Sequence, residues 1–220
     1  AYYATTFGLP RAHIVRSFVG EDYDEFGPRT VRPGGAELQV LFFGTYVPLH
    51  GVEVIVDAAT ALREDSGLRF TLVGAGQLYP ELRRRADERG LAQVSFIDHW
   101  VSTAELVERI AAADVCLGIF GRTAKAERVI PYKVYDALAV GRPLITRDSP
   151  AIRELLTDGE SALLCAPGSA PALVTALRRL ADDPDLRRRL GEAGHAVYRQ
   201  RGCPAAIGRQ LLAALAESRP

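Results

Sequence analysis

The chain has 220 residues, of which 48% are hydrophobic, and its 27 Lys and Arg side chains balance 27 Asp and Glu. This balance excludes a disordered chain, which combines low hydrophobicity with a large net charge, and it argues against nucleic acid or an anionic membrane held by bulk charge. The three cysteines are too few and too scattered for a disulfide scaffold or a metal site, and no apolar run approaches the roughly 20 residues of a membrane-spanning helix.

The first 36 residues stand apart from the rest. Residues 7–10 and 26–35 are rich in Gly and Pro, and a short β-like run, residues 13–19, lies between them. This composition predicts a linker or lead-in segment over residues 1–36 rather than part of a sheet.

From residue 38 onward, short apolar runs alternate with longer amphipathic stretches. The apolar runs predict strands at residues 38–43, 69–73, 93–97, 115–120, 143–146 and 162–165. The amphipathic stretches predict helices at residues 52–64, 78–89, 131–140, 151–156, 170–181, 185–200 and 205–217, and a capping box of Ser102 and Glu105 opens one more. Strands separated by helices form βαβ units with right-handed crossovers. The sequence therefore predicts an α/β fold: a doubly wound, Rossmann-like parallel sheet of about six strands, with extra C-terminal helices.

Ligands of such sheets bind outside the carboxyl ends of the strands, so the loops at that edge form the candidate site. The first is a glycine-bounded loop, residues 44–51, that leads into a predicted helix. Its glycines allow the backbone to approach an anion at the helix N-terminus, although an ordinary βα turn has the same composition.

The second loop begins with Gly74-Ala75-Gly76, which suggests the dinucleotide fingerprint G-x-G-x-x-G. Tyr79 stands at the position of the third glycine, and the motif follows the second strand instead of the first. Asp98 is the only acidic candidate for a ribose contact. These departures argue against NAD binding.

The third loop leads into the fourth predicted helix and carries the densest charge. Lys125, Arg128 and Lys133 surround the start of that helix, an arrangement that suits a phosphate or a diphosphate. Asp136 follows one turn beyond Tyr132, where its carboxylate could accept hydrogen bonds from vicinal hydroxyl groups. The alternative is a solvated, charge-balanced connection.

Residues 133–145, KVYDALAVGRPLI, resemble the donor-site helix of the family 4 retaining glycosyltransferases, which have the GT-B fold. Further segments resemble the interdomain linker of that family, its two glycine-rich loops, the strand at its base pocket, and the segments before its fourth strand and after its donor helix. These segments are residues 8–22 with 26–28, 44–51, 72–76, 94–97, 112–115 and 154–164. The resemblance covers almost the whole chain, and the ordered series of motifs makes it specific.

The resemblance implies that residues 37–203 are the donor-binding domain of a two-domain enzyme that transfers sugar from a UDP-, GDP- or similar nucleotide-sugar with retention of configuration, without a metal or other cofactor. Residues 1–36 would be the interdomain linker, and residues 204–220 a helix that packs on the N-terminal domain, which supplies most of the acceptor site. The chain has no Met, which predicts a fragment or a processed product. Such a fragment is expected to bind the donor but to transfer sugar poorly or not at all. The implied location is cytoplasmic, with peripheral attachment to the inner membrane left open for the full-length protein.

The resemblance also assigns roles to individual residues. Asp136 takes the position of the second acid of the family's E-x7-E motif, which holds the ribose. Glu127 is the nearest candidate for the first acid, at the donor sugar, although Arg128 occupies the expected position. Thr45 and His50 stand where the family usually has an Arg and a Lys that contact the diphosphate.

We therefore expect other cations, Lys133, Arg128 and Lys125, to bind the diphosphate, with Lys133 and Glu127 as the catalytic residues. The other predicted donor contacts belong to the three loops, to the end of the third strand and to the start of the donor helix: Gly44, Thr45, His50, Gly74, Gly76, Ile97, His99, Tyr132 and Asp136.

Two other function classes stay open. The loss of the usual Arg and Lys from the first loop keeps a non-catalytic nucleotide-binding module in consideration. A sugar-nucleotide 2-epimerase has a similar fold, but no clear set of its acid and base residues is found here.

The last helix suggests a further property. This helix has an apolar face, formed by Ile207, Leu211, Leu212 and Leu215. Such a face predicts self-association where the partner domain is absent.

Overall fold

The computed structural model describes residues 2–10, 14, 17–20, 26–27, 37–65 and 67–217. Within these ranges the strands are β1 Leu38–Phe43, β2 Leu68–Val73, β3 Val94–Ile97, β4 Val115–Leu117, β5 Leu144–Arg147 and β6 Leu163–Cys165. The α-helices in the same ranges are α1 Tyr2–Phe7, α2 Val52–Ala61, α3 Tyr79–Glu88, α4 Thr103–Ala112, α5 Tyr132–Val140, α6 Ala170–Asp182, α7 Pro184–Val197 and α8 Pro204–Glu217.

The strands form one six-stranded sheet in the order β3-β2-β1-β4-β5-β6, and every neighbouring pair is parallel. This confirms the predicted doubly wound sheet. At its centre, Phe42 of β1 is in register with Leu72 of β2 on one side and with Leu117 of β4 on the other. The strand order reverses between β1 and β4, and a crevice for ligands forms outside the carboxyl ends of strands at such a point.

Strand β1 shows how both faces of the sheet are buried. Val40 and Phe42 belong to a core cluster with α2 and α6, whereas Leu41 and Phe43 belong to a second cluster with α4 and α5. Successive side chains of a strand point to opposite faces, so a strand covered on both sides is apolar throughout. The apolar run that predicted β1 therefore reflects helices on both faces.

Several element boundaries differ from the predicted ones. The strand predicted to reach residue 120 ends at Leu117, because beyond this point the Thr146 side chain replaces part of the ladder: its Oγ1 accepts the Ile119 N–H at 3.2 Å. The helix predicted at residues 151–156 is a 3-10 turn, Ile152–Glu154, with Ser149 Oγ accepting the Ile152 N–H.

The helix predicted to reach residue 200 is α-helical only as far as Val197. It continues as a π-helical turn, Tyr198–Gly202, in which the Cys203 N–H donates to the Tyr198 carbonyl at 2.9 Å. Pro204 follows this turn and has no N–H to donate, so the winding of α7 cannot continue unchanged into α8.

The N-terminal segment contains one helix that was not predicted, α1, whose six residues are too short to show amphipathic periodicity. Of the β-like run at residues 13–19, residues 14 and 17–19 are described and form no strand, and the others lie outside the described residues. Phe18 and Phe26 are buried in the second core cluster, so these two side chains pack on the sheet domain, whereas residues 5–10 are exposed. Within the described ranges, no helix has the length and apolarity required to cross a membrane.

Candidate functional site

Three loops meet at the carboxyl edge of the sheet: the β1–α2 loop (residues 44–51), the β2–α3 loop (74–78) and the β4–α5 loop (118–131). Gly74 has a φ of 137°, and a Cβ at this position would overlap the Gly44 carbonyl. A Cβ on Gly76 would lie 2.6 Å from the backbone N and O of Tyr46, and one on Gly121 would overlap the carbonyls of Pro48 and Leu49. The predicted glycines Gly44, Gly74 and Gly76 thus allow the loops to contact one another through their backbones.

Lys133 is the charged group at the centre of these loops. It lies in the first turn of α5, and only 6% of it is exposed. Its Nζ lies 4.0 Å from the centroid of the Phe42 ring and 3.5 Å from Nδ1 of His50. A Cβ on Gly44 would lie 2.7 Å from this Nζ, so a larger residue at position 44 would require the ammonium to shift.

Burial also changes the proton affinity of Lys133. Removal from water disfavours the charged amine and lowers its pKa to about 7, and the carboxylate of Asp136 opposes that shift. Asp136 follows Lys133 by three residues, on the same side of α5, and is itself buried. The buried charge therefore has an acidic neighbour on its own helix.

His50 is neutral in this environment. Its Nδ1 lies 2.5 Å from the Thr45 carbonyl oxygen, which can only accept a hydrogen bond, so the geometry assigns the ring proton to Nδ1. Burial and the nearby charge of Lys133 lower the pKa of His50 to about 4. Neither His50 nor Thr45 supplies positive charge at neutral pH, which leaves Lys133 as the buried cation beside the β1–α2 loop.

The N-terminus of α5 is open to other acceptors. Its N-cap residue, Pro131, makes no side-chain hydrogen bond to the helix. The first N–H groups of a helix lack intrahelical partners and carry a partial positive charge. Tyr132, the first residue of α5, is exposed.

The β4–α5 loop carries three further predicted residues, Lys125, Glu127 and Arg128, all exposed. Their environment thus differs from that of the buried Lys133. The Glu127 backbone carbonyl accepts the Ala151 N–H at 3.3 Å, and its carboxylate lies 4.0 Å from the guanidinium of Arg147.

The remaining predicted residues lie at the end of β3. Ile97 is the last residue of that strand, and His99 is exposed, with its Nδ1 3.8 Å from an Asp98 carboxylate oxygen. Two strand spacings separate β3 from β1, which is about 10 Å. The site thus divides into a charged centre at β1 and β4 and a peripheral part at β3.

Tyr79, which replaces the third glycine of a dinucleotide fingerprint, begins α3. Its ring stacks on the fully buried Tyr46 ring, with centroids 6.0 Å apart, and Tyr46 in turn lies 6.1 Å from Phe42. Tyr79 thus packs its ring in an aromatic cluster beside the glycine loops. Because this tyrosine stands in place of the third glycine, the dinucleotide fingerprint is incomplete.

Sequence reasoning missed three residues of this region: Phe42, Tyr46 and Arg147. Phe42 and Tyr46 gave no signal beyond apolarity, since Lys133 and Tyr79, which they contact, are distant in sequence. Arg147 did give one, because it is a charged residue at the end of the apolar strand β5, and its side chain is only 3% exposed. Among the described residues, no group of three or more His, Cys, Asp and Glu side chains could hold a metal ion.

A family model described as "Glycosyl transferases group 1" matches residues 37–183. Among curated proteins, the chain is 26% identical over 173 residues to an alpha-D-kanosaminyltransferase from Streptomyces kanamyceticus. This match covers 78% of the chain and 44% of the kanosaminyltransferase. The chain therefore spans less than half the length of that relative.

Two solved structures share the fold. The C-terminal domain of the group 1 family glycosyl transferase LpcC from Francisella tularensis has a TM-score of 0.69 and 18% identity, covering 82% of this chain and 97% of that domain. Anabaena HepE, solved in complex with UDP and glucose, has a TM-score of 0.74 and 19% identity, covering 90% of this chain and 55% of HepE. These likenesses confirm the predicted Rossmann-like fold.

Proposed function

The chain belongs to the group 1 glycosyltransferases, and its fold is that of one domain of the two-domain GT-B enzymes. We therefore propose that it binds the nucleotide-sugar donor of a glycosyl transfer. The observation that carries this proposal is the buried ammonium of Lys133 beside the open N-terminus of α5. A positive charge and free backbone N–H groups together form a site for a diphosphate. The complex of HepE with UDP and glucose supports a nucleoside diphosphate as the ligand of this fold.

Most of the predicted residues have a place in this proposal. The diphosphate lies between the glycine loops and α5, where Lys133 and the helix N-terminus stabilise the negative charge that develops on the leaving group. Asp136 accepts hydrogen bonds from the ribose, Glu127 faces the donor sugar, and the base extends toward Ile97 and His99. In this arrangement the cations take the place of a metal ion, so transfer is proposed to be metal-independent.

The β1–α2 loop contributes shape instead of charge. His50 holds the Thr45 carbonyl through its protonated Nδ1, and Gly44 leaves room for Lys133. A single buried lysine thus replaces the charge of the Arg and Lys that the family usually carries in this loop. Lys125 and Arg128, which are exposed on the β4–α5 loop, are proposed to add weaker attraction to the diphosphate.

The acceptor is proposed to bind to a part of the enzyme outside this chain, since the chain corresponds to less than half of its relative. Transfer with retention, a cytoplasmic location and the packing of residues 204–220 against an acceptor domain belong to the same proposal. This chain is expected to bind the donor without completing transfer.

Calorimetry with UDP, GDP and ADP tests the proposal. We expect one of these nucleotides to bind the chain, and Lys133→Ala to weaken that binding tenfold or more, which is about 1.4 kcal/mol. Lys125→Ala should weaken it less, because Lys125 is exposed and screened by solvent. The matched control is Arg178→Ala, which removes an exposed cation of α6 that pairs with Asp65. Absence of nucleotide binding, or equal binding by the wild-type and Lys133→Ala proteins, would overturn the proposal.

A further inference from the structure

The guanidinium of Arg147 is the second buried cation at the carboxyl edge of the sheet. Arg147 ends β5, and its side chain is 3% exposed. Burial lowers the pKa of its guanidinium, and the carboxylates of Glu127 and Asp148 oppose that shift. Burying a charge is costly unless the charge is paired and hydrogen-bonded. The contacts of Arg147 therefore indicate what the buried charge does.

Two of its three contacts are made with the β4–α5 loop, which belongs to the proposed donor site. Nη1 donates to the Gly121 carbonyl at 2.5 Å, Nε donates to the Asp148 carbonyl at 3.3 Å, and Nη2 lies 4.0 Å from Oε1 of Glu127. Gly121 and Glu127 are the two ends of a seven-residue stretch of the β4–α5 loop. One side chain thus contacts both ends of residues 121–127, through a hydrogen bond at Gly121 and an ion pair at Glu127.

Each end is also anchored to another part of the edge. Gly121 packs against the carbonyls of the β1–α2 loop, and the neighbouring Phe120 N–H donates to the His50 carbonyl at 2.8 Å. At the other end, the Ala151 N–H donates to the Glu127 carbonyl. The backbone of the loop is therefore fixed. The Glu127 carboxylate is more than half exposed, and among the described residues its one ion pair is with Arg147.

We propose that Arg147 is a positioning residue that orients the Glu127 carboxylate toward the donor sugar. The inference rests on the proposed donor site and adds a residue that the resemblance did not assign. The planar guanidinium is suited to this task because it donates in several fixed directions at once. A lysine would keep the charge but could not reach the Gly121 carbonyl, the Asp148 carbonyl and Glu127 together.

The test separates the sugar from the nucleotide. The dissociation constants of UDP and UDP-glucose, of GDP and GDP-mannose, and of ADP and ADP-glucose are measured by calorimetry for the wild-type protein, Glu127→Gln, Arg147→Lys and the double variant. We use the pair that binds the wild-type protein. The ratio of the two constants in a pair reports the contribution of the sugar. Arg153→Ala, which removes an exposed arginine paired with Asp148, serves as the control.

We expect Glu127→Gln and Arg147→Lys each to reduce the sugar contribution about fivefold, while the affinity for the nucleoside diphosphate changes less than twofold. The double variant should lose no more than the single ones, because both substitutions remove one interaction. A purely structural role would lower the melting temperature of Arg147→Lys and leave the ratio unchanged, and this result would overturn the inference. If no nucleotide binds the wild-type protein, the proposed function itself is wrong.

If Arg147→Lys does not fold, a measurement on the wild-type protein tests the same inference. The Nε–H resonance of Arg147, assigned through its own backbone, is followed by NMR during titration. The sugar nucleotide should shift this resonance further than the nucleotide alone, because the sugar contacts the Glu127 carboxylate, which pairs with Arg147. Equal shifts for both ligands would contradict the positioning role.

Discussion

At the scale of single residues, the charge of Lys133 should make donor binding depend on pH. Burial lowers its pKa to about 7, whereas a bound diphosphate favours the charged amine and raises the pKa again. Above pH 7, binding therefore requires the uptake of a proton, and the Kd for the nucleotide should rise about tenfold per pH unit. The groups that face Lys133 are His50, which stays neutral because its pKa is about 4, and the buried carboxyl group of Asp136.

Calorimetry at pH 7, 8 and 9, in buffers of different ionisation enthalpy, measures both the Kd and the number of protons taken up. Lys133→Arg keeps its charge across this range and should abolish the dependence. The chain has only two lysines, Lys125 and Lys133, so NMR of labelled lysine side chains can follow the titration of each directly. A Kd that does not change with pH in the wild-type protein would exclude proton-coupled binding.

Single residues also show where prediction from sequence reached its limit. Lys133 and Asp136 were predicted as site residues from the charge around a helix start, but their burial was not, because every residue from 133 to 140 is buried irrespective of polarity. The aromatic ring below Lys133 belongs to Phe42, which is distant in sequence. Contacts of this kind depend on strand order, and no local pattern encodes them.

At the scale of elements, the alternation of strands and helices was predicted because the two kinds of element are buried differently. A strand covered on both faces is apolar throughout, and a helix that packs on the sheet with one side is amphipathic. Boundaries were wrong where a side chain takes over backbone hydrogen bonds, as the Thr146 hydroxyl does at the end of β4. The contact between the glycine loops was not predicted either, since Gly44 and Gly74 become neighbours only through the pairing of β1 with β2.

The glycine contact gives a prediction on stability. Gly74→Ala places a Cβ against the Gly44 carbonyl at a φ of 137°, which an L-residue rarely adopts, and should destabilise the fold by about 1–3 kcal/mol. Thermal unfolding measures the change. The matched control is Gly208→Ala in α8, where nothing lies within 4 Å of an added Cβ and helix propensity predicts a gain of about 0.5–1 kcal/mol. A melting temperature of Gly74→Ala equal to that of the wild-type protein would show that the loops separate easily.

At the scale of the whole molecule, the balanced charge conceals a local concentration of buried positive charge. The formal net charge is zero, yet Lys133 and Arg147 are both buried at the carboxyl edge of the sheet. Gly20, in the N-terminal segment, packs against the residues that lead into α8 and begin it. A Cβ on Gly20 would overlap the Gly202 carbonyl and the Ile207 side chain. The start of α8 is therefore held by the domain.

The later part of α8 leaves the domain with its apolar side chains exposed. Leu211, Leu212 and Leu215 are 41%, 69% and 64% exposed. Exposed apolar side chains that lie together favour association, so the chain should form dimers or larger species as its concentration rises. Sedimentation velocity from micromolar to millimolar concentration measures this association.

Leu212→Glu combined with Leu215→Glu should yield monomers, whereas Ala213→Glu, which adds one charge at an exposed position of the same helix, should reduce association less. A wild-type chain that remains monomeric at the highest concentration would show that α8 is soluble without a partner, and packing against an acceptor domain would then need support from a source other than its exposed leucines.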